Sequence, residues 1–235
     1  MRVTPVVCRL LVACGLTLAG ASPAFATSLL YNGDFSLGDN GFGTSYAHAS
    51  CWAEGSYDLV SDPHDCYSSW ASFGDHTTGA GSMLVVNGAT IGGLAVWSET
   101  VAILPNTDYL FSAWVSSDYS VSPAQLGFSV NGVSLGTTSA PSAGSWKLFE
   151  AAWNSGLSTA ASLAIVDQNL AGHGNDFALD DLAFDGPAPL APVVDVGAVA
   201  DVADVAIVTP EPASLLLLAT GLFGTAAALR RRRRS

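Results

Sequence analysis

Between Thr27 and Phe184 apolar residues recur at alternate positions, in short runs bounded by turn-forming pairs. Tyr109, Phe111, Ala113 and Val115 make one such face, and Leu126, Phe128 and Val130 a second. Phe149, Ala151 and Trp153 make a third, Leu163 and Ile165 a fourth, Phe177 and Leu179 a fifth. Successive side chains of a strand point to opposite faces, so a period of two marks half-buried strands, and little helical spacing competes with it. Met83–Asn87 reads as a further strand. Asn32-Gly33, Asn87-Gly88 and Asn131-Gly132 supply turn signals. Asn131-Gly132, between Leu126–Val130 and Val133–Leu135, reads as a tight hairpin. The pattern predicts an all-β chain, an antiparallel β-sandwich over residues 27–186. Trp97, Trp114, Trp146 and Trp153 fall in its strands, where burial inside the sandwich is expected.

Two apolar stretches break the alternation, one at each end. Leu10–Ala21 follows Arg2 and Arg9 and runs to Ala24-Phe25-Ala26. That is the layout of a signal peptide over residues 1–26, cleaved between Ala26 and Thr27. Leu11-Val12-Ala13-Cys14 resembles a lipoprotein box, but Arg9 leaves only Leu10–Ala13 as an apolar run before Cys14. At the other end, Ala213–Leu229 is uncharged and Arg230, Arg231, Arg232, Arg233 and Arg234 follow it. At ~1.5 Å per residue the stretch spans roughly 26 Å, enough for a single transmembrane helix over 213–229 with some local thinning of the bilayer. The arginines hold the C-terminus in the cytoplasm and the body outside. Residues 187–208 are a spacer: Pro187, Pro189 and Pro192, then Val-Asp repeats. Extended, the spacer reaches roughly 70 Å; alternatively, its Val-rich half pairs as an edge strand.

Charge narrows the partners. Of the 20 acidic residues all but Glu211 lie in the body, where Lys147 is the single Lys or Arg. Such a surface repels nucleic acid and anionic lipid and attracts divalent cations. The mature chain keeps Cys51 and Cys66, and in an oxidising compartment a disulfide is the default. Closing a ~15-residue loop contributes on the order of 3 kcal/mol in the chain-entropy model. The competing reading is a zinc site from His48, Cys51, His64 and Cys66, whose irregular spacing and compartment make it the weaker of the two.

Two resemblances add to this. Pro210-Glu211-Pro212, the apolar helix and the arginine block together resemble the PEP-CTERM sorting signal over residues 209–235. That resemblance implies an exosortase-type enzyme as partner and export through the inner membrane of a Gram-negative bacterium. It further implies transient single-pass anchoring, then release or attachment at the cell surface among exopolysaccharide. Leu30-Tyr31-Asn32-Gly33-Asp34-Phe35-Ser36, Leu104-Pro105-Asn106-Thr107-Asp108-Tyr109 and Asn175–Phe184 are similar to the first strand, a central turn and the last strand of jelly-roll carbohydrate-binding modules with the galactose-binding-like fold. The resemblance implies a jelly-roll in which first and last strands lie together and share a structural calcium. Asp180 falls on the acidic position of the last strand, with Asp181 beside it. Ser36 stands where the first strand usually carries an acid, and Asp34 is the nearby substitute. It also implies a sugar site built on aromatic rings. Ser45–His76 is a long insertion rich in them, with Trp52 and Trp70 the foremost ligand contacts and Tyr57 and Tyr67 beside them; a small satellite core under the loop is the alternative.

No catalytic motif is present: the sequence lacks Gly-x-Ser-x-Gly, His-Glu-x-x-His and a phosphate loop. Asp180 and Asp181 are adjacent on one strand and so point to opposite faces, which keeps them from serving one substrate. His173 near Asp176 and Asp180 offers an acid–base group, but Gly172-His173-Gly174-Asn175 reads first as a turn leading into the last strand. The expectation is therefore a non-enzymatic, exported polysaccharide-binding protein. The alternatives are a structural matrix or biofilm protein without a discrete ligand and, further off, a glycoside-active enzyme.

Overall fold

The computed structural model describes residues 28–189. The signal peptide, its cleavage position, most of the spacer, the apolar helix at 213–229 and the sorting motif lie outside the described residues. No helix among the described residues is long and apolar enough to cross a membrane.

The alternating runs form two sheets. One holds, in spatial order, β1 (Ala47–His48), β2 (Ser56–Val60), β3 (Met83–Asn87), β10 (Phe177–Asp185), β5 (Asp108–Ser117) and β8 (Lys147–Asn154). The other holds β4 (Ala95–Ala102), β9 (Ala160–Asp167), β6 (Gln125–Val130) and β7 (Val133–Ser139). Apart from the parallel β1–β2 contact, neighbouring strands are antiparallel. The predicted faces meet between the sheets: Tyr109, Phe111, Ala113 and Val115 of β5 join Leu126, Phe128 and Val130 of β6 and Leu163 and Ile165 of β9. Aromatic pairs tie the layers. Phe111 meets Phe128 edge-on at 5.6 Å, and Phe128 stacks on Phe149 at 3.8 Å. Asn131 and Gly132 take φ of 50° and 75°, the left-handed pair that a two-residue hairpin between β6 and β7 requires.

Several expectations need correction. Leu30–Ser36 is a turn, not a strand: Asn32 and Phe35 have φ of 60° and 54°. The Asn32 amide organises the turn, donating to the carbonyls of Gly38 and Asn40 and accepting from the Leu37 N–H, each at 2.8 Å. The implied closeness of first and last segments does hold. Leu29 N donates to Phe184 O at 2.9 Å, and Leu182 N donates to Gly33 O at 2.9 Å. Asn87-Gly88 closes no hairpin; Gly88 lies against Asn175, where a Cβ would come within 2.3 Å of the amide. Of the four strand tryptophans, Trp97 is in the inter-sheet core and Trp153 packs against it. Trp146 precedes β8 and packs in a separate cluster, and Trp114, opposite Asp180, stacks on His76 on the outer side of the larger sheet.

The 45–76 insertion is structured. It carries β1, β2 and the short helix α1 (Pro63–Cys66), whose N-cap Asp62 accepts from the His64 amide at 2.9 Å and whose first turn opens on Pro63. Pairing with β3 in the register Tyr57↔Val86 and Leu59↔Leu84 turns Tyr57 and Leu59 into the inter-sheet core. The alternate residues of β3, Met83 and Val85, face outward. The rest of the insertion folds over them and over Ala178, burying Cys51, Cys66 and Trp70 in a second cluster.

β10 is bulged. Its register with β5 shifts between Asp180 and Ala183, and Asp181 has φ of 46°. One extra residue restores the inward phase of Leu182 and Phe184. It also lets Asp180 and Asp181 face the same loop. His76 N donates to Asp180 Oδ2 at 2.8 Å, the His76 ring meets Asp181 Oδ2 at 2.7 Å, and the Thr77 hydroxyl donates to Asp181. The two carboxylates are therefore not on opposite faces, because the bulge breaks the alternation that the sequence implied.

Candidate functional site

Register decides which loops meet. Ser56 pairs with Asn87, Phe177 with both Val86 and Ser117, Ala95 with Val166, and Leu126 with Asp167. The β1–β2, β3–β4, β5–β6 and β9–β10 loops therefore gather at one end of the sandwich. At the other end Ser28 bridges Asp185, and the chain leaves through Gly186 and Pro187, where the Tyr109 hydroxyl donates to Pro187 O at 3.1 Å.

Two adjoining hollows of about 210 and 190 Å³ open at the loop end, sharing Tyr67, Trp70, His173, Gly174 and Asp176. Tyr119 extends one; Trp52 and Glu54 extend the other. The cysteine pair arranges the wall. Cys51 and Cys66 have Cα atoms 5.4 Å apart, within disulfide reach, and each is followed by an aromatic residue. Trp52 thereby meets Tyr67 edge-on at 4.8 Å, and Tyr67 meets Trp70 at 5.4 Å. Asn87 Nδ2 fastens the same corner by donating to Cys51 O at 2.7 Å. Opposite, Tyr119 packs edge-on to His173 at 5.6 Å. Gly174 makes this approach possible: at φ 87° a Cβ there would strike the Val121 carbonyl.

The floor is acidic. Asp176 is 6 % exposed, and burial pushes its carboxyl up to about 7. The Gly88 amide and the Trp70 indole pull the other way, while Asp167 and Glu54 add repulsion. Asp118 is fully buried, and among the described residues neither of its oxygens has a hydrogen-bond partner. Burial, then Asp176 and Asp62, hold it well above the usual carboxylate range. A second acidic feature lies at the bulge, where burial raises Asp180 to about 7 against the His76 amide.

The candidate ligand residues thus divide. Trp52, Tyr67 and Trp70 come together on the hollow. Trp52 is 71 % exposed, whereas Trp70 is 5 % exposed and also belongs to the satellite cluster, so both readings of that residue apply. Tyr57 is not at the site: it is 5 % exposed in the inter-sheet core, with His48 stacked on it at 4.9 Å. The calcium candidates are not assembled into a ligand set. Asp34 is exposed and accepts from the Ser36 amide and hydroxyl within its own turn, while Asp180 and Asp181 bind residues 76–77. Nor is the zinc set: His48 faces Asp39 and Asp58, and His64 meets the Trp70 carbonyl. Among the described residues no group of three or more His, Cys, Asp or Glu is arranged to hold a metal ion. Tyr119 was not singled out from sequence, and Asp176 only as an acid near His173, in a turn leading into the last strand, and not as a binding residue.

The family model of the PEP-CTERM protein-sorting motif matches residues 208–233. No curated protein matches the chain in sequence. Among solved structures the chain is similar to the CBM22-1 xylan-binding domain of Paenibacillus barcinonensis Xyn10C, at 14% identity over 68% of this chain and 94% of that one, with a TM-score of 0.47. It is also similar to TmCBM61 in complex with β-1,4-galactotriose, at 14% identity over 68% of this chain and 98% of that one, with a TM-score of 0.46. A third similar structure is the Stig cyclase Fisc from Fischerella sp. TAU, at 10% identity over 71% of this chain and all of that one, with a TM-score of 0.50. At such identities a likeness speaks for the fold alone. The class is thus an all-β, two-sheet protein carrying a PEP-CTERM sorting motif.

Proposed function

We propose that this is an exported, exosortase-sorted surface protein whose loop-end hollow binds polysaccharide without catalysing its breakdown. The observation that carries the reading is the aromatic wall of Trp52, Tyr67 and Tyr119 around a floor of Trp70 and Asp176. Rings stack on the C–H faces of a sugar, while a few fixed polar groups orient its hydroxyls. The sorting motif supports the location, following an inner-membrane stage through the C-terminal helix. Topology supports the accessibility of the site: Gly186 and Pro187 leave the sandwich at the end opposite the hollow. Binding by the full chain to an array of bacterial and plant polysaccharides tests this, with Trp52→Ala and Tyr67→Ala as controls. Retention of specific glycans by the native chain and their loss in both variants is the expected result. Self-association without any glycan retained would favour a structural matrix protein instead.

A further inference from the structure

The permanent charge in the lining of the hollow is acidic, and His173 is its one basic group. Its carboxylates are Glu54 and Asp176, and Lys147, the only Lys or Arg among the described residues, is not in the lining. Around this floor stand the rings of Trp52, Tyr67, Trp70 and Tyr119. Aromatic faces attract cations through their quadrupole, and a desolvated carboxylate gains most from a fixed positive partner. We propose, building on the glycan-site reading above, that the hollow takes a sugar bearing a free ammonium group, such as a de-N-acetylated hexosamine, with the ammonium against Asp176 and Glu54 and the ring against Trp52 and Tyr67.

The surroundings favour this class over the others. A uronate or sulfated unit would bring a second anion against Asp176, which already has Asp167 and Glu54 acting on it. An N-acetylated unit would fill the same space and leave the carboxylates without a counter-charge. Burial pushes the Asp176 carboxyl up to about 7, so an arriving ammonium draws it into its charged form and expels a proton.

The test is calorimetric titration of the full chain with glucosamine tetramer, N-acetylglucosamine tetramer and galacturonate tetramer, repeated in buffers of different protonation enthalpy. The free-amine tetramer is expected to bind about tenfold or more tighter than the acetylated one, with proton release, and the uronate to bind least. Asp176→Asn is expected to erase the preference; exposed Glu54→Gln, which leaves the fold alone, is expected to reduce it severalfold. Trp52→Ala should weaken both hexosamine tetramers. Equal binding of amine and acetyl forms overturns the ammonium assignment and leaves the sugar site standing. Amine binding unchanged by Glu54→Gln and Trp52→Ala is diffuse attraction to an acidic surface and also overturns it. Failure of all three tetramers to bind overturns the ammonium assignment, and the polysaccharide array alone then decides the sugar site.

Discussion

Two apolar clusters flank the larger sheet, and they are built by different means. Between the sheets, the strands themselves deliver the side chains: Phe111, Phe128 and Phe177 are fully buried because every second residue faces inward, and the β10 bulge brings Phe184 in with them. On the outer side Met83, Val85 and Ala178 would be left wet, and an insertion with a cysteine pair covers them. A sheet face buried by its partner sheet needs no further fastening. One buried by a loop has few strand hydrogen bonds to hold its cover, and the hollow is built on that cover.

The largest effect is expected from cutting the first cluster. Phe111 lies 5.6 Å from the Phe128 ring, 6.1 Å from Trp97 and 6.3 Å from Phe184, measured between centroids. Phe111→Ala should cost about 3–5 kcal/mol, read as a lower midpoint in urea with unchanged slope. A loss below about 1 kcal/mol would mean that this ring is not a keystone. The second cluster is probed by reducing the cysteine pair, whose residues are 15 apart in sequence. The chain-entropy argument gives about 3 kcal/mol for that closure. Hydrogen exchange should then rise across residues 45–76 while β5, β6 and β9 stay protected; uniform loss would show that the clusters unfold as one.

The contrast also explains what the sequence could carry. Tyr109 to Val115 and Leu126 to Val130 announce their strands because one face is buried and the other is not. β2 is harder to read: Ser56-Tyr57-Asp58-Leu59-Val60 is covered on both sides, so its alternation is blurred and Tyr57 looks like one more loop aromatic. The bulge at Asp181 was invisible, since an extra residue in a strand leaves no mark except a break in phase. The hollow was half legible. Trp52, Tyr67 and Trp70 stand together in the chain, whereas Tyr119, His173 and Asp176 join them only through the register of β5, β9 and β10.

Acidity separates the two regions further. Asp118, Asp167 and Asp176 lie at the loop end and Asp180 on the outer face, all raised first by burial, with Asp167 at about 6 and Asp176 and Asp180 at about 7. For an acid with a raised folded-state value, the folded chain holds protons that the unfolded chain has released. Stability therefore falls as pH rises from about 4 to about 7 and levels off above. Asp62 and Asp75 act in the opposite sense. Burial would raise them, but Ser72 and the His64 and Phe73 amides outweigh it at Asp62, as Thr78 and the Gly81 amide do at Asp75. Their contribution is lost only as pH falls through the usual carboxylate range. The melting temperature should accordingly be on the order of 5 °C higher at pH 5 than at pH 8. Asp180→Asn should reduce that difference, leaving the share of Asp118, Asp167 and Asp176; a higher midpoint at pH 8 would contradict the assignment of these groups.

The smallest effect on stability should come from the residue expected to matter most for binding. Trp52 is 71 % exposed and touches the fold mainly through the edge of Tyr67. Trp52→Ala therefore removes little buried surface and should change stability by less than about 0.5 kcal/mol, as exposed substitutions do. Tyr57→Ala is its counterpart: a ring buried at 5 % exposure, whose loss should cost about 3 kcal/mol or more in urea. The two variants pull apart what the sequence placed side by side. Glycan retention lost with Trp52→Ala at native stability, and kept by Tyr57→Ala wherever it remains folded, would locate recognition at the rim of the hollow. The reverse pattern would place it on the β2 side of the insertion, and the aromatic wall would then be a cover for Met83 and Val85 and nothing more.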